Sequence, residues 1–158
     1  METKRHPIIA NHYFSYVSSE CQLLFENGYY YGCIALCQSV AEALARFMYE
    51  KWTGNPPAEK FGANIHKIKN ADVQPDVSNL LEDIYGGQQR QDFHHLNKTV
   101  PTEYEQLRSI ATEKIDLLNK VESQVFEYEI TERGLKVKYP KYWESTDGFY
   151  NTYLRLNP

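Results

Sequence analysis

The stretch Cys33-Ile34-Ala35-Leu36-Cys37-Gln38-Ser39-Val40-Ala41-Glu42-Ala43-Leu44-Ala45-Arg46-Phe47-Met48 decides the fold class. Cys33, Cys37, Val40, Leu44 and Phe47 recur at three- and four-residue steps. Ile34, Ala41 and Met48 widen that stripe to the breadth of a helix packed inside a bundle. Gln38, Glu42, Arg46 and Glu50 are expected outside it. The pattern runs from about Tyr29 to Lys51, and Thr53-Gly54-Asn55-Pro56-Pro57 ends it, because proline has no amide donor and restricts the residue before it.

Upstream, Phe14, Val17, Cys21, Leu24 and Phe25 mark a helix from about His12 to Glu26, with Asn11 as its cap. The Asn27-Gly28 joint is too short for anything but an antiparallel helical hairpin. Downstream, Ala58 to Ala71 reads as a linker with one short helix around Ile65 and Ile68. Asp76 or Ser78 opens a third major helix, carrying Val77, Leu80, Leu81, Ile84 and Tyr85, until Gly86-Gly87 interrupts it. Val100-Pro101-Thr102-Glu103 starts a last long helix, with Thr102 as cap and Leu107, Ile110, Ala111, Leu117, Leu118, Val121 and Val125 as its buried stripe.

From there the period changes to two. Phe126, Tyr128 and Ile130 alternate with Glu127 and Glu129; Thr131-Glu132-Arg133-Gly134 turns the chain; Leu135, Val137 and Tyr139 alternate with Lys136 and Lys138. This predicts a β-hairpin whose acidic strand faces lysines on its neighbour, followed by an aromatic tail with Tyr142, Trp143, Phe149, Tyr150 and Tyr153. The expected architecture is all-α, a bundle of four or five helices with a small C-terminal β-hairpin. Residues 1–125 form the bundle, and 126–158 form the hairpin and tail packed on the same domain.

The chain has 158 residues, the size of one average domain. Its 17 basic and 21 acidic side chains leave a net charge of −4, so any nucleic-acid contact would be a local patch on an acidic body. No apolar run approaches the roughly 20 residues of a membrane span, and Met1 to Pro7 holds no apolar secretory core. A soluble, cytoplasmic protein without membrane contact is expected. Cys21, Cys33 and Cys37 are too few and odd in number for a disulfide framework and are expected as core thiols. Thirteen tyrosines suit half-buried surfaces, where a ring packs and a hydroxyl stays wet; Tyr29-Tyr30-Tyr31 are expected in core and dimer packing, with stacking on nucleotide bases as the alternative.

The chemistry-bearing segment follows the double glycine: Gln88-Gln89-Arg90-Gln91-Asp92-Phe93-His94-His95-Leu96-Asn97. Arginine offers a permanent, planar cation that matches phosphate oxygens, and histidine exchanges a proton near neutral pH, the two capacities that phosphodiester cleavage needs. On an uninterrupted helix His94 lies about 40° around the axis from Arg90 and His95 about 140°. Phe93 and Leu96 would anchor the segment to the core, and Asn97 would close its end. His66 and the His94-His95 pair lack the carboxylate or cysteine spacing of a zinc site, so no metal or cofactor is expected. Lys98 and Arg108 are candidate phosphate contacts.

Gly28-Tyr29-Tyr30-Tyr31-Gly32-Cys33-Ile34-Ala35-Leu36, running into Ala41-Glu42-Ala43-Leu44-Ala45-Arg46, together with the Arg-x4-His element from Arg90 to His95, resembles the HEPN superfamily of all-helical domains. The resemblance covers roughly residues 12 to 125. It implies a metal-independent endoribonuclease acting as a homodimer, in a toxin–antitoxin, phage-defence or other stress setting, with RNA as substrate and a protein antitoxin or regulator as a further partner. Carried onto this chain, His95 is the acid or base, with His94 second, and Arg90 holds the phosphate. Gln91 is then a supporting polar group or a phosphate contact; Asn97 and Lys98 are further candidate substrate contacts by their position beside the motif. Gln91 stands where asparagine is commoner in the family, and Glu42 where an acidic residue is frequent. The altered polar position and the acidic charge leave a second reading open, a non-catalytic HEPN-like module for binding or oligomerisation within a larger assembly.

Overall fold

The computed structural model describes residues 8–9, 12–86, 93, 101 and 103–154. Its axis is helix α2 (Tyr30–Thr53), against which α1 (His12–Glu26), α3 (Phe61–Asn70), α4 (Pro75–Tyr85) and α5 (Tyr104–Val125) all pack. A helix surrounded on several sides must be apolar over more than a narrow stripe. Accordingly Cys33, Ile34, Cys37, Val40, Ala41, Leu44, Ala45 and Met48 are all buried. The expected all-α bundle with a small strand region at its C-terminus is the architecture observed.

The α1–α2 joint closes as a Schellman turn, in which two backbone donors beyond the helix satisfy its last carbonyls. Tyr29 N–H donates to Leu24 O (2.9 Å) and Gly28 N–H to Phe25 O (3.0 Å). Gly28 takes φ +77°, and a Cβ there would lie 2.8 Å from the Tyr104 hydroxyl, so the position needs glycine on two counts. At the other end of α2, Gly54 (φ +73°) donates its N–H to Glu50 O at 2.8 Å.

The segment expected as a linker is a structural layer. α3 buries Phe61, Ile65 and Ile68, and its Asn64 is fully buried because it grips the preceding loop from both sides. Ala58 N–H donates to Asn64 Oδ1 (2.7 Å), and Asn64 Nδ2 donates to Ala58 O (2.9 Å). α4 begins at Pro75, in the first-turn position where a missing amide costs nothing. The predicted caps Asn11 and Thr102 lie outside the described residues.

After α5, β2 (Tyr128–Thr131) and β3 (Gly134–Val137) form the expected antiparallel hairpin, with Glu129 opposite Lys136. Just outside the ladder, Lys138 Nζ meets Glu127 Oε2 at 2.8 Å. The short 3₁₀ helix Pro140–Tyr142 then carries the tail back onto the bundle. Tyr142 packs on Phe47 of α2 with ring centroids 5.7 Å apart, and Trp143 packs on Phe126 at 6.5 Å. A second hairpin joins β4 (Ser145–Thr146) to β5 (Phe149–Tyr150) through Asp147 (φ +53°) and Gly148 (φ +82°), the two positive values of a type I′ turn. Finally β6 (Tyr153–Leu154) pairs antiparallel with β1 (Ile8–Ile9), so the two ends of the described chain meet.

Candidate functional site

Arg90, Gln91, His94, His95, Asn97 and Lys98 lie outside the described residues, as do Leu96 and the rest of 87–92 and 94–100. The structure describes both the helix end from which this segment departs and the residue at its middle, Phe93.

Phe93 is buried, 1% exposed, and its ring meets Tyr31 of α2 edge-on with centroids 5.2 Å apart. Burial of an aromatic ring this completely contributes on the order of 3 kcal/mol. The expected anchor therefore sits in the core. Its backbone N–H donates to Gln38 Oε1 at 2.8 Å, and the same amide donates through Nε2 to Tyr85 O at 2.9 Å. Gln38 is fully buried, contrary to the expectation that it lies outside the stripe. It falls at helical steps from Ile34, Ala41 and Ala45, all buried, so its phase is that of the core. The orientation of the amide follows from its partners, because a backbone N–H can only donate and a carbonyl only accept.

Three of the last four carbonyls of α4 are satisfied around this point. Gly86 N–H donates to Glu82 O (3.2 Å), the Lys114 ammonium from α5 donates to Asp83 O, and Gln38 covers Tyr85 O. A cation at a helix C-terminus is favoured by the aligned peptide dipoles. Burial nevertheless pushes the Lys114 pKa below the usual lysine value, outweighing the opposing influence of Glu113 and Asp83.

The three consecutive tyrosines divide. Tyr31 turns inward onto Phe93; Tyr30 packs between Phe25 (5.6 Å) and Tyr104 (5.0 Å); Tyr29 is exposed. Hydrogen bonding with Tyr30 raises the pKa of the exposed Tyr104. Arg108, one turn along α5 and exposed, places a positive charge close enough to act on the Tyr104 hydroxyl.

Glu42 lies one turn beyond Gln38 on α2, in an open groove of 610 Å³ shared with Phe14, Ser39, Arg46, Phe47 and Glu50. Its carboxylate pairs with Arg46 at 3.1 Å, and Arg46 also donates to the Glu59 carbonyl. An ion pair this exposed contributes at most about 1 kcal/mol. Cys21, Cys33 and Cys37 are buried free thiols. Hydrogen bonds with Cys21 and Cys33, then burial, hold the Cys37 thiol well above its ordinary pKa and so protonated and unreactive. Among the described residues no group of His, Cys, Asp and Glu side chains is arranged to hold a metal ion, and no helix is long and apolar enough to cross a membrane.

Sequence reasoning missed Gln38 and Lys114. A signal existed for the first, a lone amide at the helical phase of Ile34, Ala41 and Ala45. Lys114 also shares the phase of the α5 stripe, three residues from Ala111 and four from Leu118, and a lysine there would ordinarily be read as reaching past the core to solvent. Comparison with protein-family models, curated proteins and solved structures finds no match to this chain.

Proposed function

We propose that the protein is a metal-independent endoribonuclease of HEPN type, working in the cytoplasm as a homodimer in a toxin or phage-defence setting. The observation that carries this reading is the Arg-x4-His element from Arg90 to His95, set in an all-helical bundle whose core holds the ring of Phe93 between those two residues. Phe93, the residue of this element that the structure describes, is buried against Tyr31 of α2.

In the proposed reaction an RNA 2′-hydroxyl attacks the adjacent phosphorus. The new P–O2′ bond forms as the P–O5′ bond breaks, leaving a 2′,3′-cyclic phosphate and a 5′-hydroxyl. His95, with His94 as the second candidate, moves the proton. Arg90 binds the phosphate oxygens and stabilises the charge that grows on them. Gln91, Asn97 and Lys98 contact the strand, and a protein antitoxin or regulator restrains the enzyme. The second reading, a non-catalytic HEPN-like module, is favoured by Gln91 in place of asparagine and by the net charge of −4.

Incubation of purified protein with mixed single-stranded and structured RNA in EDTA separates the two. The enzyme reading expects cleavage that survives chelation and disappears in Arg90→Ala and His95→Ala. An inert wild-type protein that still dimerises supports the binding module. If His94→Ala abolishes cleavage and His95→Ala does not, the proton-transfer role passes to His94.

A further inference from the structure

We infer that Asn27 is a deamidation site that the fold keeps closed, and that it reacts only when the α1–α2 joint opens. Asn27 is the one asparagine of the chain followed by glycine, and it is exposed. Glycine leaves its backbone nitrogen without a side chain to hinder approach, so in an unfolded chain the Gly28 nitrogen readily reaches the Asn27 amide carbon. In the reaction the Gly28 N–H gives its proton to solvent and the nitrogen attacks Asn27 Cγ. The N–Cγ bond forms, the Cγ–Nδ2 bond breaks, and Nδ2 leaves as ammonia after taking a proton from water. Water then opens the five-membered imide at either carbonyl, leaving aspartate or isoaspartate at position 27.

Both reacting groups are tied to the last turn of α1. Gly28 N–H donates to Phe25 O at 3.0 Å. Asn27 Nδ2 donates to Leu23 O at 2.8 Å, an acceptor it shares with its own backbone N–H at 3.1 Å. The attacking nitrogen is thus committed to one carbonyl and the amide to another. Tyr29 N–H closes the same turn on Leu24 O at 2.9 Å, and the Tyr104 hydroxyl lies against Gly28, where a Cβ would come within 2.8 Å of it. Tyr104 is in turn packed on Tyr30, the first residue of α2. Nucleophile and amide meet only after these bonds part, which is an opening of the joint rather than the rotation of one side chain.

The product does not fit the closed joint. An ionised carboxylate cannot donate to Leu23 O, and it sets a negative charge at the end of α1, where the peptide dipoles already carry one. Glu26 is its neighbour in sequence. Isoaspartate adds a carbon to the backbone and shifts the Gly28 and Tyr29 donors away from Phe25 O and Leu24 O. Each opening that ends in deamidation therefore weakens the joint permanently. Just beyond it, Tyr30 and Tyr31 carry the contacts of α2 with Tyr104 and Phe93.

Deamidation is read by tandem mass spectrometry of the peptide holding residues 27 and 28, at one mildly alkaline pH and one temperature, in buffer and in denaturing urea. Hydrogen exchange of the Gly28 amide is measured alongside. The folded protein is expected to react at least about tenfold more slowly than the unfolded chain, with the Gly28 amide protected, the least that loss of one hydrogen bond implies. Tyr30→Ala, which takes away the ring that holds Tyr104, is expected to raise the folded-state rate several-fold. Asn27→Asp, which carries the product's charge, is expected to unfold at lower urea than wild type. Equal rates in buffer and urea, or a Gly28 amide that exchanges freely, overturn the closed site. An unaltered rate in Tyr30→Ala overturns gating by the joint, and an unaltered midpoint in Asn27→Asp overturns the consequence for stability. Should Tyr30→Ala not fold, wild type decides the gating: deamidation protected at least as strongly as Gly28 exchange supports it, and deamidation protected less strongly means that the site reacts without opening.

Discussion

Replacing Phe93 by alanine removes a ring that is 1% exposed and lies edge-on to Tyr31 at 5.2 Å. Large-to-small substitutions of buried phenylalanine cost about 3–5 kcal/mol, through lost transfer energy and the cavity left behind. The ring pair contributes about 0.5–1.5 kcal/mol of this beyond simple burial. For a chain of this size the urea m value is about 2 kcal/mol/M, so the unfolding midpoint should drop by about 2 M. A double-mutant cycle with Tyr31→Ala should return a coupling of about 1 kcal/mol between the two rings, since they are in contact and separable from the rest of the core. Urea titration followed by far-ultraviolet circular dichroism and tyrosine fluorescence measures all four corners. A loss below about 1 kcal/mol for Phe93→Ala, or a coupling of zero, would mean that the ring is not seated against Tyr31 of α2 and that the motif has no anchor in the core.

Gly28→Ala should destabilise by about 1–2 kcal/mol, because alanine is strained at φ +77° and its Cβ would press on the Tyr104 hydroxyl. Tyr104→Phe in the same chain should recover part of that loss but not the backbone strain, as read by urea unfolding. Lys114 yields a pH dependence of known sign. Burial lowers its folded-state pKa below 10.5, so between that lowered value and 10.5 the unfolded chain holds a proton that the folded chain has released. The stability of wild type relative to Lys114→Met should therefore rise as pH climbs through this window and stay level below it; a difference that is flat or falls there would contradict the burial of the ammonium.

The parts of the fold that could be read from the sequence are those where one physical signal acts alone. The 3.6-residue stripe of α2, the glycine at the α1–α2 joint and the alternation from Phe126 to Tyr139 each have a single local cause, and the structure has the helices and hairpin where these signals place them. Gln38 escapes the sequence pattern because polarity ordinarily signals exposure, whereas a glutamine that satisfies a helix end and a buried amide is as much a core residue as Ile34. The stretch around α3 was undervalued for a similar reason. Gly62, the lysines and Asn64 look like loop residues, yet Asn64 is buried by the loop it grips. Asp147-Gly148 carried a recognisable turn signal that the aromatic residues around it obscured. The β1–β6 pairing joins two-residue strands from opposite ends of the chain, and no local pattern announces such a partnership. Of the site, the anchoring role of Phe93 was visible from its spacing in the motif. The amide that receives it, 55 positions earlier in the chain, was not.

The central claim is tested most directly by one comparison of substrates in EDTA: an RNA oligonucleotide and its all-2′-deoxy twin, each incubated with wild-type protein and with Arg90→Ala. The account predicts that wild type cuts the RNA alone, that the products end in a 2′,3′-cyclic phosphate and a 5′-hydroxyl, and that Arg90→Ala cuts neither. Cleavage of the deoxy strand, a linear phosphate product, or full activity in Arg90→Ala would contradict it.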